Sequence, residues 1–172
     1  MVNYASLVTA TDLVDPAPAV NCTPASGTTF APGETSVDCT ASDFSGNTTS
    51  GSFTILVGYV GYGITPTKLS VKSGSSNPLM WSWGDENGNN LDSSADMQRL
   101  RIVDCGDPAI VLLDKAGDPG ASGFRFKSDL SWEFNWQSDD SDGNPLPRGE
   151  YCASVTNERT GQKLESPPIR VR

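Results

Sequence analysis

Residues Asn21–Val57 read NCTPASGTTFAPGETSVDCTASDFSGNTTSGSFTILV. Cys22 and Cys39 flank a segment carrying Pro24, Gly27, Pro32 and Gly33. After Cys39 comes a second polar segment, Ala41 to Asn47, and then the alternating run Phe53-Thr54-Ile55-Leu56-Val57. Short β-prone runs punctuated by Gly, Pro, Asn and Asp are the mark of a β-sandwich. Two of these runs carry the cysteines. Ala19 to Thr23 reads as a strand with Cys22, and Thr35 to Thr40 as its antiparallel partner with Cys39.

Outward from this stretch the chain stays β-rich. Residues 2–10, VNYASLVTA, alternate loosely and predict a strand with Tyr4 reaching the core. Asp15-Pro16 marks a turn, Ser42 to Gly51 a loop, and Ser52 to Val57 a closing strand. The run Gly58-Tyr59-Val60-Gly61-Tyr62-Gly63 is a break in composition, readable as a linker or as a bent strand. We place a boundary there, giving modules 1–58 and 59–172. In the second module, strands are expected at Lys68–Lys72, Leu79–Trp83, Arg99–Cys105, Ile110–Leu113 and Gly123–Lys127, then at Ser131–Gln137, Glu150–Thr156 and Ile169–Arg172. Ser93 to Leu100 is the one candidate for a helical turn or two. The fold class is therefore all-β, with two immunoglobulin-like sandwich modules in tandem.

The stretch 22–47 also resembles a known family. The order C-T-P-x-S-G-x-x-F-x-x-G-x-T-x-V-x-C-T-A-x-D-x-x-G-N is similar to the hyalin repeat (HYR), an immunoglobulin-like module of extracellular proteins. The resemblance implies an adhesive or structural role outside the cell and names no ligand. The later half resembles a β-domain that accompanies bacterial HYR modules, the PxKF-like domain, whose early strand reads V-K-x-G-S-x-x-P-x-K-F. Val71 to Pro78 follow that pattern, while Met80 and Trp81 stand where the family has Lys-Phe. Arg148-Gly149-Glu150-Tyr151-Cys152 matches its G-x-x-C strand start. Against the HYR pattern, the first module lacks its opening strand, because only a few residues precede Leu7. Such a sheet would show an unpaired edge and an apolar gap. Three fillers are open: the second module, the rest of a longer chain, or a strand from another copy. The last would make a self-assembling, filament-like subunit, with the N-terminal residues or Ser166–Arg172 as donor.

Bulk composition narrows the function. The chain has 172 residues, 12 Lys plus Arg, 21 Asp plus Glu, and a formal charge of −9. That balance argues against a nucleic-acid partner, whose phosphates need a basic face. No run is apolar enough for a membrane span. Met1-Val2-Asn3-Tyr4 does not open a signal peptide. This leaves a processed or expressed fragment, export by another route, or a virion protein. The 4 cysteines are widely spaced, which reads as disulfides and an oxidising compartment, extracellular or on the cell surface. With the boundary after residue 58, the pairs expected are Cys22–Cys39 and Cys105–Cys152.

With 0 histidines the chain has no ordinary base for a serine nucleophile, and no G-x-S-x-G or phosphate loop is present. No enzyme is expected, and no cofactor is required. The calcium candidate is Asp139-Asp140-Ser141-Asp142-Gly143-Asn144, where Asp139, Asp140, Asp142 and Asn144 offer spaced oxygens around a glycine. It lacks the acidic residue expected at loop position 12, which is Tyr151. Asp85, Asn87 and Asn89, with Asp96, form a second partial match. Both stretches also read as hairpin turns. Trp132, Phe134 and Trp136 alternate with polar residues; exposed, such a row would bind sugars, but the period of two predicts one buried face. Asn21-Cys22-Thr23 and Asn47-Thr48-Thr49 are glycosylation sequons. The expected partners are other copies or surface proteins. The alternatives are a carbohydrate- or protein-binding accessory module of a secreted enzyme and a viral decoration or fibre protein.

Overall fold

A computed structural model describes residues 1–120 and 123–172. The chain is all-β, and no α-helix occurs among the described residues. It divides into two compact units, Met1–Gly58 and Tyr59–Arg172.

In the first unit, β1 (Ala19–Thr23), β2 (Gly33–Ser42) and β3 (Thr48–Val57) form one antiparallel sheet in the order β1-β2-β3. The period of two sorts the side chains. Cys22 faces Cys39, Val37 faces Phe53 and Thr35 faces Ile55, all on the inner side. Tyr4 and Phe30 close over that side and are buried with Val37 and Cys39. Tyr4 packs edge-on against Phe53, with ring centroids 5.2 Å apart, and its hydroxyl donates to the Pro24 carbonyl.

The strand expected over residues 2–10 does not form. Its Tyr4 and Ala5 N–H groups donate to Ser26 Oγ at 2.9 and 3.0 Å, and Ala5–Leu7 coils into a 3₁₀ turn. The alternation anchors one aromatic, while the backbone finds a side-chain acceptor in place of a neighbouring strand. In the other direction, β3 begins at Thr48, so the expected loop from Ser42 to Gly51 contracts to a tight turn over Asp43–Asn47.

The second unit packs two sheets face to face. Its strands are β4 (Val60–Pro66), β5 (Ser70–Val71), β6 (Asn77–Gly84), β7 (Gln98–Asp104), β8 (Val111–Gly117), β9 (Phe124–Phe126), β10 (Ser131–Trp136), β11 (Gly149–Asn157), β12 (Lys163–Glu165) and β13 (Ile169–Val171). One sheet runs β4-β6-β10-β9; the other runs β5-β13-β11-β7-β8, with β12 against β11. Leu79, Trp81 and Trp83 of β6 and Trp132, Phe134 and Trp136 of β10 point inward from the first sheet. Leu100 and Ile102 of β7, Tyr151, Ala153 and Val155 of β11, and Ile169 and Val171 of β13 meet them from the second. Tyr151, beside Cys152, sends its hydroxyl back to the Pro147 carbonyl at 3.0 Å.

The Gly/Tyr-rich break is a bent strand. β4 pairs with β6 and shifts register between Tyr62 and Thr65. Gly84 ends β6 where a Cβ would meet the Asn89 carbonyl at 2.4 Å, so only glycine fits that close approach. The helical turn considered over Ser93–Leu100 is a single turn at Ser94–Asp96, where the Asp96 N–H donates to the Ser93 carbonyl at 2.9 Å, followed by β7. The strand expected at Gly123–Lys127 is β9, and Ala121 and Ser122 lie outside the described residues.

Candidate functional site

The calcium candidates resolve into a repeated turn. Asp43-Phe44-Ser45-Gly46-Asn47, Asp85-Glu86-Asn87-Gly88-Asn89 and Asp140-Ser141-Asp142-Gly143-Asn144 share the pattern D-x-x-G-N. In each, the aspartate N–H donates to the asparagine carbonyl and the glycine N–H returns to the aspartate carbonyl. In each, aspartate Oδ1 accepts the N–H of the residue two on, at 2.9 Å, and the asparagine N–H four on, at 2.8–2.9 Å. The asparagine Nδ2 donates to Oδ2 at 2.7, 2.9 and 3.1 Å. The glycines take φ of +85°, +88° and +82°, a region open to glycine and closed to most other residues. These bonds hold all three carboxyls below the ordinary aspartate value. The Asn47 and Asn89 side chains are the largest cause at Asp43 and Asp85, and the Asn144 backbone N–H is the largest at Asp140.

The carboxylates proposed to hold calcium are thus aimed at their own loop. Asp140 accepts four hydrogen bonds from Asp142 and Asn144. Asp142 enters through its N–H and Asn144 as a donor, while Asp139 offers its carbonyl to Trp136 Nε1 at 3.1 Å. Asp96, placed with the second loop by sequence, sits elsewhere. It is buried, bonded by Asn157 Nδ2 at 2.8 Å and ion-paired with Arg159 Nε at 2.7 Å. Arg159 also donates to the Tyr59 hydroxyl at 2.7 Å. Burial first, and then Asp96, push the Tyr59 phenol up to about 12. This is a closed, paired cluster. Among the described residues, no group of three or more His, Cys, Asp or Glu side chains is arranged to hold a metal ion.

The aromatic row is inside. Trp132, Phe134 and Trp136 are buried, Trp81 stacks on Trp132 with centroids 6.2 Å apart, and the indole N–H of Trp132 reaches Ser93 Oγ at 2.9 Å. The Trp83 N–H is taken by Gln98 Oε1 at 2.8 Å. No face of this row is left for a sugar to stack on. Both sequons lie in the first sheet's neighbourhood. Asn21 is in β1 beside the Cys22–Cys39 disulfide, and the Asn47 amide is engaged by Asp43.

The first unit also carries an open groove. Leu7, Val8, Ala10, Val20, Ala41 and Phe53 line a groove of about 550 Å³ on the inner side of its sheet. The turns at Asp12–Asp15 and Asp43–Asn47 are tied together by buried Asp15, whose Oδ2 accepts the Phe44 N–H at 3.0 Å. Among the described residues, neither outer edge of the sheet has a backbone partner. The chain ends named as strand donors are already used. Tyr4 is buried in the first core, and β13 is paired with β11 and β5, with Ile169 and Val171 buried. The disulfides are Cys22–Cys39 and Cys105–Cys152, and no cysteine is free.

The chain is of the all-β class, in two compact units with one disulfide in each. Within that class, residues 2–57 match the HYR domain. No curated protein matches the chain. Among solved structures, it is similar to the crystal structure of dimeric latent PorU from Porphyromonas gingivalis, at 16% sequence identity and a TM-score of 0.44. That similarity covers 83% of this chain and 12% of that one, so the chain spans a small part of that protein's length. Among the described residues, no helix is long and apolar enough to cross a membrane.

Proposed function

We propose that this chain is a non-catalytic structural or adhesive segment of an extracellular protein, displayed at a cell surface or built into an extracellular assembly. The observation that carries the reading is where its polar chemistry goes. The carboxylates of Asp43, Asp85 and Asp140 accept their own turns' N–H groups, Asp96 is paired with Arg159, and the aromatic row is buried. A catalytic or small-ligand site needs such groups unspent and convergent. The HYR match over residues 2–57 and the two disulfides support an oxidising, extracellular setting. We read residues 59–172 as the PxKF-like companion module on the Val71–Pro78 and Arg148–Cys152 motifs. No cofactor takes part, and the Asp139–Asn144 loop is a turn that calcium would have to pull apart to bind.

The test is labelling of intact cells of the source organism with an antibody to the chain, with thiol alkylation of the recovered protein. Surface labelling with no alkylated cysteine is expected. Labelling only after lysis, with free thiols, overturns the reading. In the same preparation, the melting temperature is expected to be equal in chelator and in millimolar calcium.

A further inference from the structure

Among the described residues, β3 has a free edge unlike any other. All ten of its residues are registered on β2 without a shift, from Gly33↔Val57 to Ser42↔Thr48. Its opposite edge has no hydrogen-bonded neighbour among the described residues. In an antiparallel strand alternate residues point their N–H and C=O groups to one side, so about five of each are left for a partner. Natural proteins blunt such edges with short strands, prolines, charges or bulges. The other edges among the described residues follow that practice. β1 has five residues between Pro18 and Pro24. β4 is bulged and ends at Pro66. β5 has two residues, β9 has three with exposed Arg125 at the centre, and β12 carries Lys163 and Glu165. β8 carries exposed Asp114 and Lys115 and pairs with β7 through a register shift.

β3 has none of these devices. It holds no proline and no charge, and no charged residue occurs between Asp43 and Lys68. In a chain of net charge −9, most surfaces of two copies repel. Here two copies can meet with no like charges opposite one another. The outer row, Ser50, Ser52 and Thr54, is exposed and rich in hydroxyls that bond well across strands. The inner row, Phe53, Ile55 and Val57, is only half-buried, because the irregular N-terminal segment covers it incompletely.

We propose that β3 is a homophilic docking edge. A second copy of this chain adds its own β3 antiparallel to it, so that two three-stranded sheets become one of six strands. The side-chain period fixes the register by parity. Inner residues must face inner residues, so Ser52 lies opposite Ser50, Ser52 or Thr54 of the other copy. The contact uses the same strand twice. It is therefore isologous and closes as a twofold dimer, and does not run on head to tail. A head-to-tail filament would need a second complementary edge, and the remaining edge of this sheet, β1, is the short one set between prolines. The inference rests on the structural-module reading, which it supplies with a partner.

The experiment is sedimentation velocity on the full chain from micromolar to millimolar, comparing the native sequence with Ser52→Lys and Thr54→Lys. Ser52 pairs with Asp38 on β2, so a lysine there gains an opposite charge within its own sheet and the monomer stays folded. Thr54 pairs with Ser36 and tests the same edge without that gain. The native chain is expected to dimerise reversibly. Both variants should raise the dimer dissociation constant several-fold to about tenfold, because each copy brings an ammonium group to an otherwise uncharged junction. Unchanged near-ultraviolet circular dichroism is expected in both. A native chain that is monomeric throughout, or variants that associate as tightly as it does, overturns the docking edge. Surface labelling with a monomeric chain would overturn the edge alone. A β3-dependent dimer confined to the cell interior would overturn the extracellular reading alone.

Discussion

The two units solve the same problem with unequal means. Among the described residues, the first buries four apolar side chains, Tyr4, Phe30, Val37 and Cys39. The second buries nineteen, including Trp81, Trp83, Trp132 and Trp136. The second has two sheets facing each other; the first has one, covered by an irregular segment. A chain of about 60 residues buries too little surface to be secure without staples. The first unit accordingly leans on local devices: the disulfide between neighbouring strands, the buried Asp15 that ties two turns together, and the Asp43 turn. The second can be stabilised by bulk. What separates the units is which interactions each could lose and remain folded.

The largest effect should come from opening the second core. Trp83 is fully buried, and its indole N–H is bound to Gln98. Trp83→Ala leaves a cavity and removes the donor from Gln98 Oε1. Such truncations cost about 3–5 kcal/mol. In calorimetry, the transition of the second unit is expected to fall steeply while that of the first stays in place. Equal shifts in both would mean that the units unfold as one and that their inequality has no energetic meaning.

Removing the disulfides should sharpen the contrast from the other side. On chain-entropy grounds, Cys22–Cys39, with a separation of 17, contributes about 3 kcal/mol, and Cys105–Cys152, with a separation of 47, about 4. The larger entropic term belongs to the unit that needs it less. Cys22→Ala with Cys39→Ala is expected to unfold the first unit at room temperature. Cys105→Ala with Cys152→Ala should leave the second folded with a lowered melting temperature. Amide hydrogen exchange reads the two separately. Persistent protection of β2 in the first double variant would show that Tyr4 and Phe30 suffice.

Much of this was legible in the sequence where local signals and burial agree. Ala19–Thr23 reads as a strand and is β1 to the residue, because Pro18 and Pro24 bound it on both sides. The alternation of Trp132, Phe134 and Trp136 gave a buried face, since period two with large aromatics has few other outcomes. Residues 2–10 alternate too, but a strand also needs a neighbour, and the pattern cannot say whether one is present. Ser26, which takes those N–H groups, lies about twenty residues away and leaves no periodic signal. The Gly-rich break left a linker and a bent strand both open, because glycine suits either until a close packing partner, such as Leu164 beside Gly61, is seen. The calcium candidate is a different case, because Asp140 accepts hydrogen bonds from its own loop. Sequence counts oxygens; it does not show where they point. The signal for the shared turn was the threefold recurrence of D-x-x-G-N, in loops far apart in the chain.

That recurrence allows the finest comparison, since one turn is built into the weak unit and two into the strong one. Asp43, Asp85 and Asp140 have carboxyls held below the ordinary value of 3.8 by the amides they accept. A group whose folded value is depressed binds its proton less readily when folded than when unfolded. Its contribution to stability is therefore complete above pH 3.8 and lost as pH falls through the folded value. Each turn is exposed to solvent, so each effect is small and the three must be told apart by where they act. Asp43→Asn, Asp85→Asn and Asp140→Asn keep one oxygen for the backbone N–H groups and remove the charge. Each is expected to lower the melting temperature slightly at neutral pH and to flatten its fall below pH 4. The shift should be largest for Asp43→Asn, because this turn joins β2 to β3 in the unit with four buried apolar residues, and its Phe44 N–H is the one Asp15 holds. The check is melting of each variant across the acid range, followed by a probe in each unit. If Asp140→Asn moves the second unit as far as Asp43→Asn moves the first, the thin core is not what makes a turn matter. The two units would then differ in size alone.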